Sequence, residues 1–190
     1  MKVKFLCLIL VMILGLSLGA CASKDAKASK ETTKATTEAP PREKIFRTTD
    51  GRFQITADES WKDAAKILNL EDATLDISRG ADAHIVLISE NKYNFSKGLS
   101  GYSDLVVRHM EKNIDNAKVS GSENTSLGDY NAYKTTITED ARDYTVVYVV
   151  YCAEIKDRYI QLVCWSNGSN QEKFAKEFEK IAKTLSSAKE

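Results

Sequence analysis

The sequence predicts an α+β domain, a three-layer α/β/α sandwich built around a mainly antiparallel sheet. Residues 146–153 are apolar at almost every position, which is typical of a strand covered on both faces. Two segments, near residues 100–116 and 171–185, carry the apolar stripe of an amphipathic helix and are available as covering layers. The connections between the last four predicted strands are short, which favours antiparallel neighbours.

The chain begins with the pattern of a secretory signal, residues 1–20. Lys2 and Lys4 precede an apolar run that is too short to cross a bilayer comfortably. The segment Leu18-Gly19-Ala20-Cys21 looks like a bacterial lipobox, which predicts cleavage before Cys21 and a diacylglycerol joined to the Cys21 thiol by a thioether. An ordinary signal with a chance cysteine, or an uncleaved anchor, is the alternative. The pattern predicts a protein held by lipid on the extracytoplasmic face of the cell membrane.

Residues 21–44 are predicted to form a disordered tether, and residues 45–187 the globular domain. Residues 22–44 contain no aromatic residue and include the pair Pro40-Pro41. Such a segment has too little apolar surface to offset the entropy of ordering. The full chain has 27 basic and 27 acidic residues, and loss of the signal removes two lysines. The resulting net charge of −2 predicts no nucleic-acid partner.

The first predicted element of the domain is a hairpin closed by the turn pair Asp50-Gly51. A two-residue loop would place Phe46 opposite Ile55. A short helix near residues 64–68 and two strands, around residues 75–77 and 85–88, are expected next.

A longer helix is then predicted from Ser100, as its N-cap, to Asn116. Four strands follow, at residues 118–125, 130–138, 144–155 and 159–166. The closing helix begins at the capping-box pattern of residues 169–172, and its stripe consists of Phe174, Phe178, Ile181 and Leu185.

Two cysteines, Cys152 and Cys164, lie on strands predicted to be adjacent. A two-residue turn at Lys156-Asp157 would place Cys152 opposite Gln161 and the two thiols on opposite faces of the sheet. A three-residue loop would make the thiols diagonal neighbours and permit a strained disulfide. Two buried free thiols are the more ordinary outcome.

No catalytic, cofactor or metal site is predicted. The triplet Asp82-Ala83-His84 places two possible metal ligands on one strand face, but no further histidine is paired with it locally. His109 falls within the apolar stripe of a helix and is better explained as a half-buried side chain. No nucleophile has an oriented base beside it in the sequence.

Aromatic residues give the one indication of a binding surface. Tyr148 and Trp165 belong to an aromatic cluster on the last two strands, and Trp61 lies in a separate segment. Tyrosine and tryptophan suit interfaces because each combines an apolar body with a polar tip. The same residues suit a sheet covered by helices, which is the favoured interpretation. Trp61, Tyr148 and Trp165 are therefore the candidate binding residues.

The order of elements resembles that of the PsbP/DcrB-like lipoproteins over most of the domain. The local similarities are Phe53-Gln54-Ile55 leading into Ser60-Trp61, the end of the first long helix at residues 116–119, Leu127-Gly128 before residues 130–132, and Tyr159-Ile160-Gln161 leading to Trp165. The resemblance implies a PsbP-like sandwich and a non-catalytic accessory or binding protein outside the cytoplasmic membrane. It implies no catalytic residues.

The expected function is therefore that of a membrane-anchored, non-enzymatic accessory protein that binds a protein of the cell envelope. The alternative is a lipoprotein that binds a small molecule or a metal for a transporter. Receptors of that class commonly close two lobes around the ligand, whereas this chain has room for a single domain.

Overall fold

A computed structural model describes residues 42–68, 70–140 and 144–188. The predicted signal, Cys21 and the tether up to residue 41 lie outside the described residues. Among the described helices, none has both the length and the apolar composition needed to cross a bilayer.

A small three-stranded sheet opens the domain. Strands β1 (Glu43–Arg47) and β2 (Phe53–Asp58) form the predicted hairpin, and β11 (Ser186–Ser187) pairs with β2 from the end of the chain. Phe46 lies opposite Ile55, which confirms the predicted register. Gly51 has φ +69°, a left-handed conformation that glycine adopts without steric cost.

The main sheet has eight strands, all paired antiparallel. They are β3 (Lys62–Asp63), β4 (Ala73–Arg79), β5 (Ala83–Asn91), β6 (Ala117–Val119), β7 (Glu123–Leu127), β8 (Tyr130–Asp140), β9 (Thr145–Ile155) and β10 (Arg158–Asn167). Their order is β3-β4-β5-β10-β9-β8-β6, and β7 also pairs with β8.

The central strand β9 is buried on both faces, as its apolar run predicts. Helix α2 (Gly98–Asn113) covers the face that carries Tyr148, Val150 and Cys152, named here the α2 face. The opposite face is covered by α3 (Gln171–Ala182) together with the small sheet, and is named the α3 face. A four-residue helix, α1 (Ala65–Leu68), packs near β4. The three predicted layers are present.

Three predicted boundaries are wrong. The strand expected at residues 118–125 is two strands, β6 and β7, because the Ser120 hydroxyl accepts a hydrogen bond from the Thr136 backbone N–H where pairing is interrupted. Helix α2 begins at Gly98 and ends at Asn113, and no side chain caps its first turn. The capping box is absent because Ser169 lies in a 3₁₀ turn and bonds Asn167 instead.

The two cysteines lie on opposite faces of the sheet, as a two-residue turn requires. Cys152 is opposite Gln161, and Lys156 in the turn has φ +57°. Cys152 belongs to the core of the α2 face and Cys164 to that of the α3 face, and both are free buried thiols.

Candidate functional site

Trp61 is a structural residue that joins α3 to the sheet. Its side chain is fully buried, and its indole Nε1 donates to Glu177 Oε1 at 2.7 Å. Arg79 Nη1 donates to both oxygens of the same carboxylate, at 2.8 and 2.7 Å. These contacts use the polar tip of Trp61 inside the fold and leave it no free surface.

Tyr148 and Trp165 lie together on the α2 face, opposite each other on β9 and β10. Their ring centroids are 6.3 Å apart, and their exposed fractions are only 1% and 3%. The Tyr148 hydroxyl donates to Glu139 Oε2 at 2.9 Å. The three candidate residues therefore do not form one exposed surface: Trp61 is on the α3 face, and the other two are covered by α2.

A narrow crevice remains beside this aromatic pair. Its volume is about 30 Å³, and its walls are mainly apolar, with His109, Met110 and Asn113 of α2 facing Tyr148 and Trp165 across it. That volume is about the share of one water molecule in the liquid. The crevice is too small for a metabolite.

His84 packs against the same tryptophan. The two rings stack with centroids 4.9 Å apart and planes 7° apart. Burial lowers the pKa of His84, so the imidazole is neutral near pH 7. Among the described residues, no group of three histidine, cysteine or acidic side chains is placed to hold a metal ion.

The buried thiols are poor nucleophiles. Burial raises the pKa of Cys152 to about 12 and also raises that of Cys164. The thiolate is the reactive form of cysteine, and neither residue forms it near pH 7.

The larger cavity lies on the other side of the sheet, between α3 and strands β8–β10, and is named here the α3 groove. Its volume is about 170 Å³. The apolar part of the lining is Val147, Val149, Ala175 and Phe178. The polar part is Lys134, Thr136, Tyr151, Ser166, Gln171, Lys176 and Glu179.

Two buried hydroxyl residues line this groove. Tyr151 and Ser166 are each only 2% exposed, and neither side-chain hydroxyl bonds to any described residue. Neither oxygen is among the described side-chain atoms that are both fully buried and without a partner, so both hydroxyls are open to solvent in the groove. The charged groups beside them are paired: Lys134 Nζ lies 2.7 Å from Glu123, and Glu179 lies 2.6 Å from Lys183 Nζ.

Sequence reasoning missed the α3 groove, although β8 carried a signal of it. Lys134, Thr136 and Thr138 share the α3 face of β8, where complete cover by a helix would require apolar residues. The polar residues on this face of β8 show where α3 no longer covers the sheet.

The sequence matches no known family profile and no curated protein, whereas its fold matches several solved structures. The cyanobacterial PsbP of Synechocystis aligns with TM-score 0.57 and 9% identity, over 82% of this chain and 98% of that one. The Ran-binding protein Mog1p of Saccharomyces cerevisiae aligns with TM-score 0.57 and 10% identity, over 77% and 96%.

A third similar structure is LpqN, which is involved in cell envelope biogenesis in Mycobacterium tuberculosis. It aligns with TM-score 0.55 and 13% identity, over 78% of this chain and 91% of that one. Identities this low establish architecture and not activity. The described domain therefore has a PsbP/Mog1-like α+β fold.

Proposed function

We propose that the chain is a lipoprotein, held on the extracytoplasmic face of the cell membrane by acyl chains on Cys21. We further propose that its domain is a non-enzymatic accessory protein that binds a protein of the cell envelope. The observation that carries this proposal is the segment Leu18-Gly19-Ala20-Cys21 after a short apolar run. Acyl chains and an N-terminal tether would keep the domain beside the bilayer while leaving it free to reorient.

The fold is compatible with a binding role. Mog1p is a Ran-binding protein, and LpqN is involved in cell envelope biogenesis, so proteins of this architecture serve both kinds of task. The chemistry of the described residues also supports a non-catalytic role, because the two cysteines are held as thiols and the aromatic candidates are packed within the core.

In-cell crosslinking of the full-length chain tests this proposal. A photoreactive amino acid is introduced at Tyr93 or Tyr144, which are 78% and 43% exposed, and captured proteins are identified by mass spectrometry. We expect one envelope protein to be captured reproducibly, and to be lost when the same probe is placed in a Cys21→Ala chain. Capture of only abundant neighbours, equally in both chains, would contradict the proposal.

A second candidate function is binding of a small solute on behalf of a transporter, and the α3 groove is the observation that favours it. A ligand that binds only the native state raises its melting temperature in a saturable way. A screen of solutes and metal ions by melting temperature therefore separates the two candidates. The solute-binding function requires a specific and saturable rise in melting temperature with one solute, whereas the accessory function requires no such rise.

A further inference from the structure

We infer that the α3 groove is a binding site for a small, neutral, polyhydroxylated molecule with about the size of one six-membered ring. The inference narrows the solute-binding candidate and does not depend on lipidation of Cys21. It rests on the size of the groove, on its unpaired hydroxyls and on the pairing of its charges.

The volume of the groove sets the size of the ligand. At about 170 Å³ it is smaller than the roughly 300 Å³ at which pockets for drug-sized ligands begin. It has room for about five or six water molecules at ~30 Å³ each. One ring that carries several hydroxyl groups would fill such a space.

The unpaired hydroxyls set the chemistry of the ligand. Tyr151 and Ser166 are buried, and with Thr136 they offer three side-chain hydroxyls that bond to no described residue. A hydroxyl both donates and accepts a hydrogen bond, so a ligand rich in hydroxyls satisfies all three. Burial is the largest of the effects that raise the pKa of Tyr151, and its hydroxyl therefore stays protonated.

The charges around the groove favour a ligand without charge. The ammonium of Lys134 is paired with Glu123, and the carboxylate of Glu179 is paired with Lys183. A cation that bound Glu179 would have to displace Lys183, and an anion that bound Lys134 would have to displace Glu123. Lys176 also lines the groove and forms no ion pair with a described residue, but it is exposed, and an ion pair at an exposed position contributes little free energy.

The apolar lining complements the carbon atoms of a ring. Val147 and Val149 form part of the floor, and Ala175 and Phe178 of α3 form a wall. Burial of the C–H groups of the ligand against them adds favourable free energy without requiring charge.

The test uses three probes that share one ring and differ in charge: glucose, glucose 6-phosphate and glucosamine. Their binding to the full-length chain, held in a detergent that contains no sugar, is measured by saturation-transfer NMR. We expect glucose to bind saturably, with Kd on the order of 1 mM for so small a ligand. We expect each charged analogue to bind at least about fivefold more weakly.

Matched variants locate the binding. Ala175→Phe should fill the groove and abolish glucose binding, whereas Glu172→Phe, an exposed position of α3 outside the groove, should leave it unchanged. Tyr151→Phe removes a hydroxyl that no described residue uses, so the fold should keep its melting temperature while Kd rises about three- to tenfold.

Several outcomes would overturn the inference. They are the absence of saturable glucose binding, a charged analogue that binds as well as glucose, and glucose binding that survives Ala175→Phe or is unaffected by Tyr151→Phe. None of these outcomes bears on acylation of Cys21, so the proposed lipid anchor is tested independently of the groove.

Discussion

At the scale of single residues, Asp76 is a buried carboxylate without a hydrogen-bond partner among the described residues. It is only 4% exposed. Burial, with a smaller contribution from Asp63, raises its pKa from 3.8 to about 6. An unpaired carboxylate in this position opposes folding whenever it is ionised.

Asp76 should therefore make the protein less stable as the pH rises. Between about pH 4 and pH 6 the native state keeps a proton that the unfolded chain has lost, so the free energy of unfolding falls across that interval. We expect Asp76→Asn to stabilise the protein at pH 7 by about 1–3 kcal/mol and to have a smaller effect at pH 4.

Denaturant unfolding at pH 4, 5.5 and 7 measures this difference. Asp115→Asn, at an exposed position, is the matched control and should change the free energy of unfolding little at any of the three values. A pH-independent effect of Asp76→Asn would show that the carboxylate is satisfied in the native state.

The candidate binding residues show which properties of single residues could be predicted from the sequence and which could not. The two-residue turn at Lys156-Asp157, one of the two alternatives that the sequence left open, places the two cysteines on opposite faces. The same register sets Tyr148 opposite Trp165, a pair that was not predicted. The exposure of Tyr148 and Trp165 was not predictable from the sequence. It depends on how closely α2 packs against the sheet, which is set by tertiary contacts. Trp61 precedes a short strand, and no local pattern indicated its bond to Glu177.

At the scale of elements, Glu177 connects α3 to the rest of the fold. Its carboxylate accepts hydrogen bonds from both Trp61 and Arg79, and its side chain is only 16% exposed. We expect Glu177→Ala to lower the free energy of unfolding by about 2–3 kcal/mol, because it leaves the buried indole N–H of Trp61 without its acceptor and leaves Arg79 with only the more distant carboxylate of Asp58, at 3.8 Å.

Glu179→Ala, on the same helix, is the control for that measurement. Glu179 pairs with Lys183 at the surface, where both side chains are more than half exposed, and such pairs contribute little. Equal losses from the two substitutions, measured by chemical denaturation, would contradict a connecting role for Glu177.

Elements were predictable where one pattern ran without interruption. The apolar run of β9 indicated cover on both faces, and the stripe of Phe174, Phe178, Ile181 and Leu185 is buried as predicted. The break between β6 and β7 was not predictable, because the bond from the Thr136 N–H of β8 to the Ser120 hydroxyl involves a residue that is distant in sequence from the connection.

At the scale of the whole molecule, the domain is a PsbP/Mog1-like sandwich, and that architecture is shared by proteins with different roles. The fold alone therefore does not define what the chain does. The features of this chain that bear on its role are the α3 groove and the proposed lipid anchor at Cys21.

Metabolic labelling with an alkyne analogue of palmitate tests the central claim most directly. Expressed at full length in a bacterium, the chain should take up the label, begin at Cys21 and fractionate with the membrane. Cys21→Ala should abolish labelling, and Cys152→Ala, which removes a buried thiol of the core, should retain it. A chain that is unlabelled, or that keeps its label after Cys21→Ala, would contradict the lipoprotein proposal.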